Sequence, residues 1–175
     1  MSAFLITGNP GSGKTTVANE LSRRGLPAAD TDQIARWETT SGEPVSRPED
    51  PSDVWLRSHR WVMSVPRLEE IIQAMTVGGQ HVYLCGIAAN QRDMLELFTM
   101  VFLLSIDHET QLARLNTPDN TYRNAAQRAQ IVEGRTSFEH EMRAAGAVVL
   151  DGSQPIPDLV DRILDEVTKA DRPQP

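Results

Sequence analysis

The sequence predicts an α/β domain, a parallel sheet of five strands with helices on both faces. Three observations carry that expectation. Five short apolar runs alternate with stretches of helical spacing, the arrangement that joins parallel strands by crossover helices. The pattern G-x-x-x-x-G-K-[ST] is met at every fixed position by Gly8-Asn9-Pro10-Gly11-Ser12-Gly13-Lys14-Thr15. It stands between an apolar run and a helical one, which is the context it requires. The loops after the runs are polar or contain glycine, and in a parallel sheet they emerge together beyond the carboxyl ends of the strands.

Taken in order, Ala3-Phe4-Leu5-Ile6-Thr7 reads as a buried first strand. A helix follows from about Lys14 to Arg24, with Val17, Ala18 and Leu21 inward and Gly25 as its C-cap. Leu26 to Asp30 is a weak second strand. Residues 38–53 are rich in Thr, Ser, Gly, Pro and acids, including Pro44, Pro48 and Pro51, and read as a loop or mobile insertion. Asp53 to Trp61 reads as a short helix. Pro66 opens a clearer one that ends at Gly78-Gly79. His81 to Cys85 is a strand closed by Gly86, and a helix from about Asn90 to Phe98 leads into Met100 to Ile106, the strongest strand signal. Asp107 caps a helix carrying Leu112 and Leu115. Residues 116–124 break the pattern, and a long helix spans about Ala125 to Ala145, with Gly134 a candidate interruption. Ala147 to Leu150 is the last strand. The loop Asp151-Gly152-Ser153-Gln154-Pro155 then opens a final helix with Ile156, Leu159, Val160, Ile163 and Val167 on one face.

The 175 residues suit one domain over about 1–170, with 171–175 a frayed tail. No apolar run reaches the length of a membrane span. The first strand begins at residue 3, with no charged segment, apolar core and cleavage site before it, so no signal peptide is expected. The single cysteine, Cys85, cannot form an internal disulfide, and a cytoplasmic location is expected. The formal net charge of -7 argues against a general nucleic-acid binder, which needs a basic face. His59, His81, His108 and His140 have no metal-ligand spacing.

The chemistry of the glycine-rich loop explains its residue types. Glycines let the backbone curl around an anion with no side chain in the way. Successive N–H groups from Gly11 to Thr16, together with the positive end of the helix that starts there, attract phosphate. Lys14 is placed to reach β- and γ-phosphates and Thr15 to offer a hydroxyl to Mg²⁺.

With these parts in this order, the chain resembles the small-molecule and nucleoside-monophosphate kinases of the phosphate-loop class, including shikimate, gluconate and adenylate kinases and chloramphenicol phosphotransferase. The resemblance spans nearly the whole chain and is sharp only over Gly8 to Thr15. It implies the nucleotide-kinase type of phosphate-loop fold, with ATP and Mg²⁺ as cofactors. Asp30-Thr31-Asp32 looks like the Asp-x-Asp of shikimate-type kinases, which would put Asp30 beside the metal with Thr15 and Asp32 on the acceptor hydroxyl. A competing role for Asp32 is to cap the helix that follows it. Cys85 stands where a metal-side Asp often sits, and is read as a small core residue.

By the same resemblance, Arg114 stacks on adenine, and Ser153 and Pro155 belong to the loop that lines it. Residues 116–124 become a short lid, with Arg123 and Arg135 supplying charge to the transferred phosphoryl group. Residues 31–65 become an acceptor-binding insertion, in which Trp37, Arg57, Arg60 and Trp61 are candidates, joined by Gly86 and Asn90 after the third strand. The glycine triplet of shikimate kinase is replaced by Gly86-Ile87-Ala88, and the lid is shorter than that of adenylate kinase, so the acceptor does not transfer from either. The reading is a kinase acting on a small-molecule acceptor, a nucleoside or nucleotide or a shikimate- or gluconate-like hydroxyl. The alternative is a regulatory ATPase acting through a protein partner. A monomer or homodimer is expected, with no nucleic-acid or membrane partner.

Overall fold

The computed structural model describes residues 2–76, 79–117 and 124–172. The chain runs β1 (Ala3–Thr7), α1 (Lys14–Arg23), β2 (Ala28–Asp30), β3 (Ala35–Thr39), β4 (Pro44–Val45), α2 (Asp53–Ser58), β5 (His59–Met63), α3 (Val65–Met75), β6 (Val82–Cys85), β7 (Met100–Ser105), α4 (His108–Leu115), α5 (Ala125–Ala144), β8 (Val148–Asp151) and α6 (Ile156–Ala170). Short 3₁₀ turns cover Thr31–Ile34 and Gln91–Leu97. The second of these replaces the helix expected over 90–98.

Five strands form a parallel sheet in the order β2-β6-β1-β7-β8, as the sequence predicts. The central strand β1 is buried at every position. Phe4 and Ile6 pack into one core with Val17 and Leu21 of α1 and Val160, Ile163 and Val167 of α6. Ala3 and Leu5 pack into the other with Leu68 of α3, Met94 and Phe98. A strand covered on both faces must be a continuous apolar run rather than an alternating one. Among the described residues no helix is long and apolar enough to cross a membrane.

The insertion differs from its expectation. Residues 35–63 build a second, antiparallel sheet in the order β4-β3-β5. The segment expected as a loop over 38–53 therefore contributes the end of β3 and all of β4. The helix expected over 53–61 stops at Ser58, and the chain continues directly as β5. Pro44 is compatible with strand geometry because β4 is a two-residue edge, where a missing N–H leaves no central ladder bond unmade. Helix α5 passes through Gly134 without a break.

Candidate functional site

The glycine-rich loop connects β1 to α1 at the carboxyl end of the central strand. A Cβ on Gly8 would lie 2.5 Å from the Leu104 carbonyl oxygen and 2.6 Å from Ser12 Oγ, so the loop closes this tightly against β7 only with glycine there. Gly13 is the N-cap of α1 with φ 101°, and no side chain caps the helix. The first N–H groups of α1 therefore lack a side-chain acceptor from the cap, which suits an anion. Ser12 Oγ is buried without a hydrogen-bond partner. Lys14 Nζ donates to the carbonyls of Gly8 at 2.7 Å and Asn9 at 3.3 Å, lying back across its own loop.

Neighbouring elements hold the loop from outside. Gln111 Nε2 of α4 donates to the Pro10 carbonyl at 3.2 Å. Arg114 Nη1 donates to the Gly11 carbonyl at 3.0 Å and to the Gly152 carbonyl at 3.2 Å, joining the glycine-rich loop to the loop after β8. That last loop is braced by Asp151, whose carboxylate accepts from Ser153 Oγ, Ser153 N and Gln154 Nε2. These donors, the Ser153 hydroxyl first, hold the Asp151 carboxyl down at about 2. Ser153 thus directly follows the Gly152 carbonyl that Arg114 holds, and Pro155 is the N-cap residue of α6. Asn9 Nδ2 donates to the Arg135 carbonyl at 3.4 Å, which ties α5 to the same loop. The Arg135 guanidinium lies 3.4 Å from Glu139, a carboxylate that also accepts from Ser105 Oγ at 2.8 Å. Arg123 and residues 118–123 of the expected lid lie outside the described residues.

Thr15 and Asp30 meet. Thr15 Oγ1 donates to Asp30 Oδ2 at 2.8 Å, so α1 and the end of β2 bring two hard oxygen donors together. That donor set fits Mg²⁺, which takes oxygen ligands from one or two side chains and leaves the rest to water and phosphate. Among the described residues there is no cluster of three or more His, Cys, Asp or Glu suited to hold a metal by protein ligands alone. Cys85 is buried, and burial pushes its thiol well above the usual range, so it adds no anionic ligand. Asp30 also accepts from the Asp32 N–H at 3.0 Å. It is therefore Asp30, not Asp32, that caps the turn Thr31–Ile34.

Asp32 instead lines a cavity of about 760 Å³. Asn9 and Pro10 of the glycine-rich loop form one part of its wall, Trp37 and Trp61 another, Ile87 to Ala89 a third, and Gln127, Gln130, Ile131, Gly134 and Phe138 of α5 the remainder, with Arg47. The loop after β6 is zipped onto the small sheet. The Ala89 N–H donates to the Trp61 carbonyl at 2.8 Å, and the Asn90 side chain both accepts from Met63 N and donates to Met63 O at 3.0 Å.

The cluster of tryptophans and arginines in the insertion is sorted by the period of two in a strand. Trp37 and Trp61 are directly paired across β3 and β5, with ring centroids 5.7 Å apart, and both line the cavity. Arg36 and Arg60 alternate to the opposite face, where Arg36 pairs with Glu38. Arg57 reaches Asp53 and Glu133, linking α2 to α5 on the surface. Arg57, Arg60, Asn90 and Gly86, expected on the acceptor, are thus absent from the cavity wall. Asn90 is spent on Met63, and Gly86 packs against Thr31. Arg47 and the α5 residues were not singled out by the sequence. The α5 stripe at 127, 130, 131, 134 and 138 has helical spacing, but its glutamines and glycine give it no hydrophobic signature.

No known protein-family profile matches the chain, and no curated protein matches it in sequence. Solved structures match it over nearly its full length. A sugar kinase from Janibacter sp. HTCC2649, solved without ligand, is 21% identical, covers 96% of this chain and 95% of its own, and superposes with a TM-score of 0.59. Shikimate kinase from Acinetobacter baumannii in complex with shikimate is 17% identical, with 99% and 96% covered and a TM-score of 0.60. Deoxyadenosine kinase from M. mycoides with bound dATP is 10% identical, with 95% and 99% covered and a TM-score of 0.51. The chain therefore has the phosphate-loop fold of the nucleotide-kinase type.

Proposed function

We propose that the protein is an ATP-dependent phosphotransferase that moves the γ-phosphoryl group to a hydroxyl of a small molecule. The observation that carries this reading is one shared cavity: Asn9 and Pro10 of the phosphate-binding loop and the carboxylate Asp32 open onto the same space. The structural neighbours are kinases, which supports it at the level of fold.

In this reading the loop amides of Gly11 and of Gly13 to Thr16, with Lys14, hold the triphosphate, and Lys14 exchanges its carbonyl partners on Gly8 and Asn9 for phosphate oxygens. Thr15 and Asp30 are the residues that would hold Mg²⁺, which when bound neutralises charge on the phosphates. Arg114 keeps the two nucleotide-side loops in register, and Arg135, with Arg123, adds positive charge beside the phosphates. Asp32 accepts the proton of the acceptor hydroxyl. The hydroxyl oxygen forms a new bond to the γ-phosphorus as the bond from that phosphorus to the bridging oxygen breaks, and ADP leaves with the electron pair.

The test is a coupled phosphoryl-transfer assay across nucleosides, nucleotides, sugar acids and ring alcohols, with Lys14→Ala as control. Asp32 is exposed, so Asp32→Asn should leave the melting temperature unchanged while lowering kcat by about 10²–10⁴-fold. Undiminished turnover in Asp32→Asn removes the base from the scheme. Failure of titration calorimetry to detect uptake of any nucleoside triphosphate with Mg²⁺ removes the scheme itself.

A further inference from the structure

We infer that the acceptor is a neutral, ring-bearing alcohol whose ring edge carries a hydrogen-bond donor beside an acceptor, the chemistry of an unphosphorylated nucleoside. This rests on the phosphotransferase reading and narrows it. Charge, ring geometry and hydrogen-bond valence each point the same way.

Among the described residues, the charged side chains lining the cavity are Asp32 and Arg47, whose formal charges cancel. The other arginines of the insertion are committed elsewhere or sit on the far face of the small sheet. A phosphate or carboxylate on the acceptor would therefore lose hydration with no net positive charge from the described lining residues to receive it. The aromatic wall is packed on further aromatic rings. Trp37 packs on Trp61 and, at 5.0 Å between ring centroids, on Trp55, which stacks on His59 at 4.2 Å. Such a wall offers a flat aromatic ring more dispersion and quadrupole contact than it offers an open-chain sugar acid.

The polar edge comes from two carboxamides one helical turn apart on α5. Arg47 Nη2 lies 2.9 Å from the Gln127 side chain, and a guanidinium can only donate, so the atom it meets is Oε1. The Leu56 carbonyl, 3.2 Å from the Gln130 side chain, can only accept, so the atom it meets is Nε2. What remains is the N–H₂ of Gln127 as donor and the Oε1 of Gln130 as acceptor. A nucleobase edge presents the complement of that pair. The volume of about 760 Å³ lies within the usual range for small-molecule sites.

Of the three tryptophans, Trp37 and Trp61 line the cavity and Trp55 packs on Trp37 behind them, so their fluorescence reports on this wall. The experiment titrates the full-length protein with purine and pyrimidine nucleosides, their 5′-monophosphates, shikimate and gluconate, exciting at the red edge of indole absorption where nucleosides are transparent. The same panel is then run with ATP and Mg²⁺ in the transfer assay. At least one nucleoside should quench saturably, and its kcat/KM should exceed that of its monophosphate and of both acids by about a hundredfold or more. Gln130→Met and, independently, Gln127→Leu should each weaken that binding about tenfold, the worth of one hydrogen bond to a desolvated ligand, with KM for ATP unchanged. Preference for a monophosphate, shikimate or gluconate overturns the inference and leaves the kinase reading intact. Quenching by a nucleoside with transfer to no acceptor refutes the kinase reading while the ligand class stands. No quenching and no transfer with any nucleoside overturns the inference outright.

Discussion

Gly86→Ala should destabilise the protein for a reason the structure makes quantitative. A Cβ built on Gly86 falls 1.9 Å from Thr31 Oγ1, 3.2 Å from Thr31 Cβ and 3.3 Å from Met63 Cε, where ordinary heavy-atom contact is about 3.5 Å. The first of these contacts cannot persist. Thr31 is 2% exposed, and its hydroxyl donates to the Cys85 carbonyl at 3.1 Å. Relief therefore requires either rotating that hydroxyl away from its buried partner or shifting the end of β6. Overpacking costs about 1–3 kcal/mol and a buried hydroxyl left unpaired also costs about 1–3 kcal/mol; these are alternative ways of relieving one clash, so a loss of about 1–3 kcal/mol is expected. For a domain of this length that is a fall in Tm of about 2–12 °C.

The partner variant Thr31→Ala removes the clashing oxygen and should cost about 1–2 kcal/mol alone. In the double variant Gly86→Ala with Thr31→Ala the two losses should fall short of their sum by about 1 kcal/mol or more. Urea unfolding of the four proteins measures the cycle. Additivity within about 0.5 kcal/mol would refute the steric account. So would a Gly86→Ala variant of unchanged stability but raised acceptor KM, since that pattern would return Gly86 to the acceptor site. Thr31 lies between Asp30 and Asp32, so the clash should also lower kcat at temperatures where the variant remains folded.

Other consequences can be checked more simply. Gly134 sits inside α5 beside the cavity, and a Cβ there meets no atom within 4 Å. Gly134→Ala should stabilise the protein by about 0.5–1 kcal/mol, seen as a raised urea midpoint, while acceptor KM rises as the methyl group takes up cavity space. Arg114→Lys keeps the charge but cannot reproduce the planar fork between the Gly11 and Gly152 carbonyls. KM for ATP should rise several-fold, and titration calorimetry that finds unaltered ATP affinity would argue against the bridge. Asp151, held at about 2 by Ser153 and Gln154, is protonated more readily in the unfolded chain, where its pKa is about 3.9. Its contribution is present above about pH 4 and is lost as pH falls toward 2. Replacing it in Asp151→Asn should flatten the acid limb of the stability curve measured by unfolding between those pH values.

The meeting of Thr15 with Asp30 was expected only from the resemblance of Asp30-Thr31-Asp32 to a kinase motif, but the amino-acid order by itself specified the main sheet and the glycine-rich loop. These depend on local patterns: an apolar run that must be buried on both faces, glycines at the positions a tight anion-binding turn demands, and a loop that follows directly from its strand. Which residues enclose the cavity was decided only by tertiary structure. Three short alternating segments with prolines between them give no strong strand signal, and they become a sheet only because β3, β4 and β5 satisfy one another's hydrogen bonds. That pairing turns Trp37 and Trp61 inward and Arg36 and Arg60 outward, a separation of neighbours in sequence onto opposite faces. The opposing wall comes from α5, more than sixty residues later, whose Gln127 and Gln130 acquire a defined donor and acceptor only through Arg47 and the Leu56 carbonyl. Contacts between distant segments leave no periodic trace in either one, which is why this wall emerged only when the chain was folded.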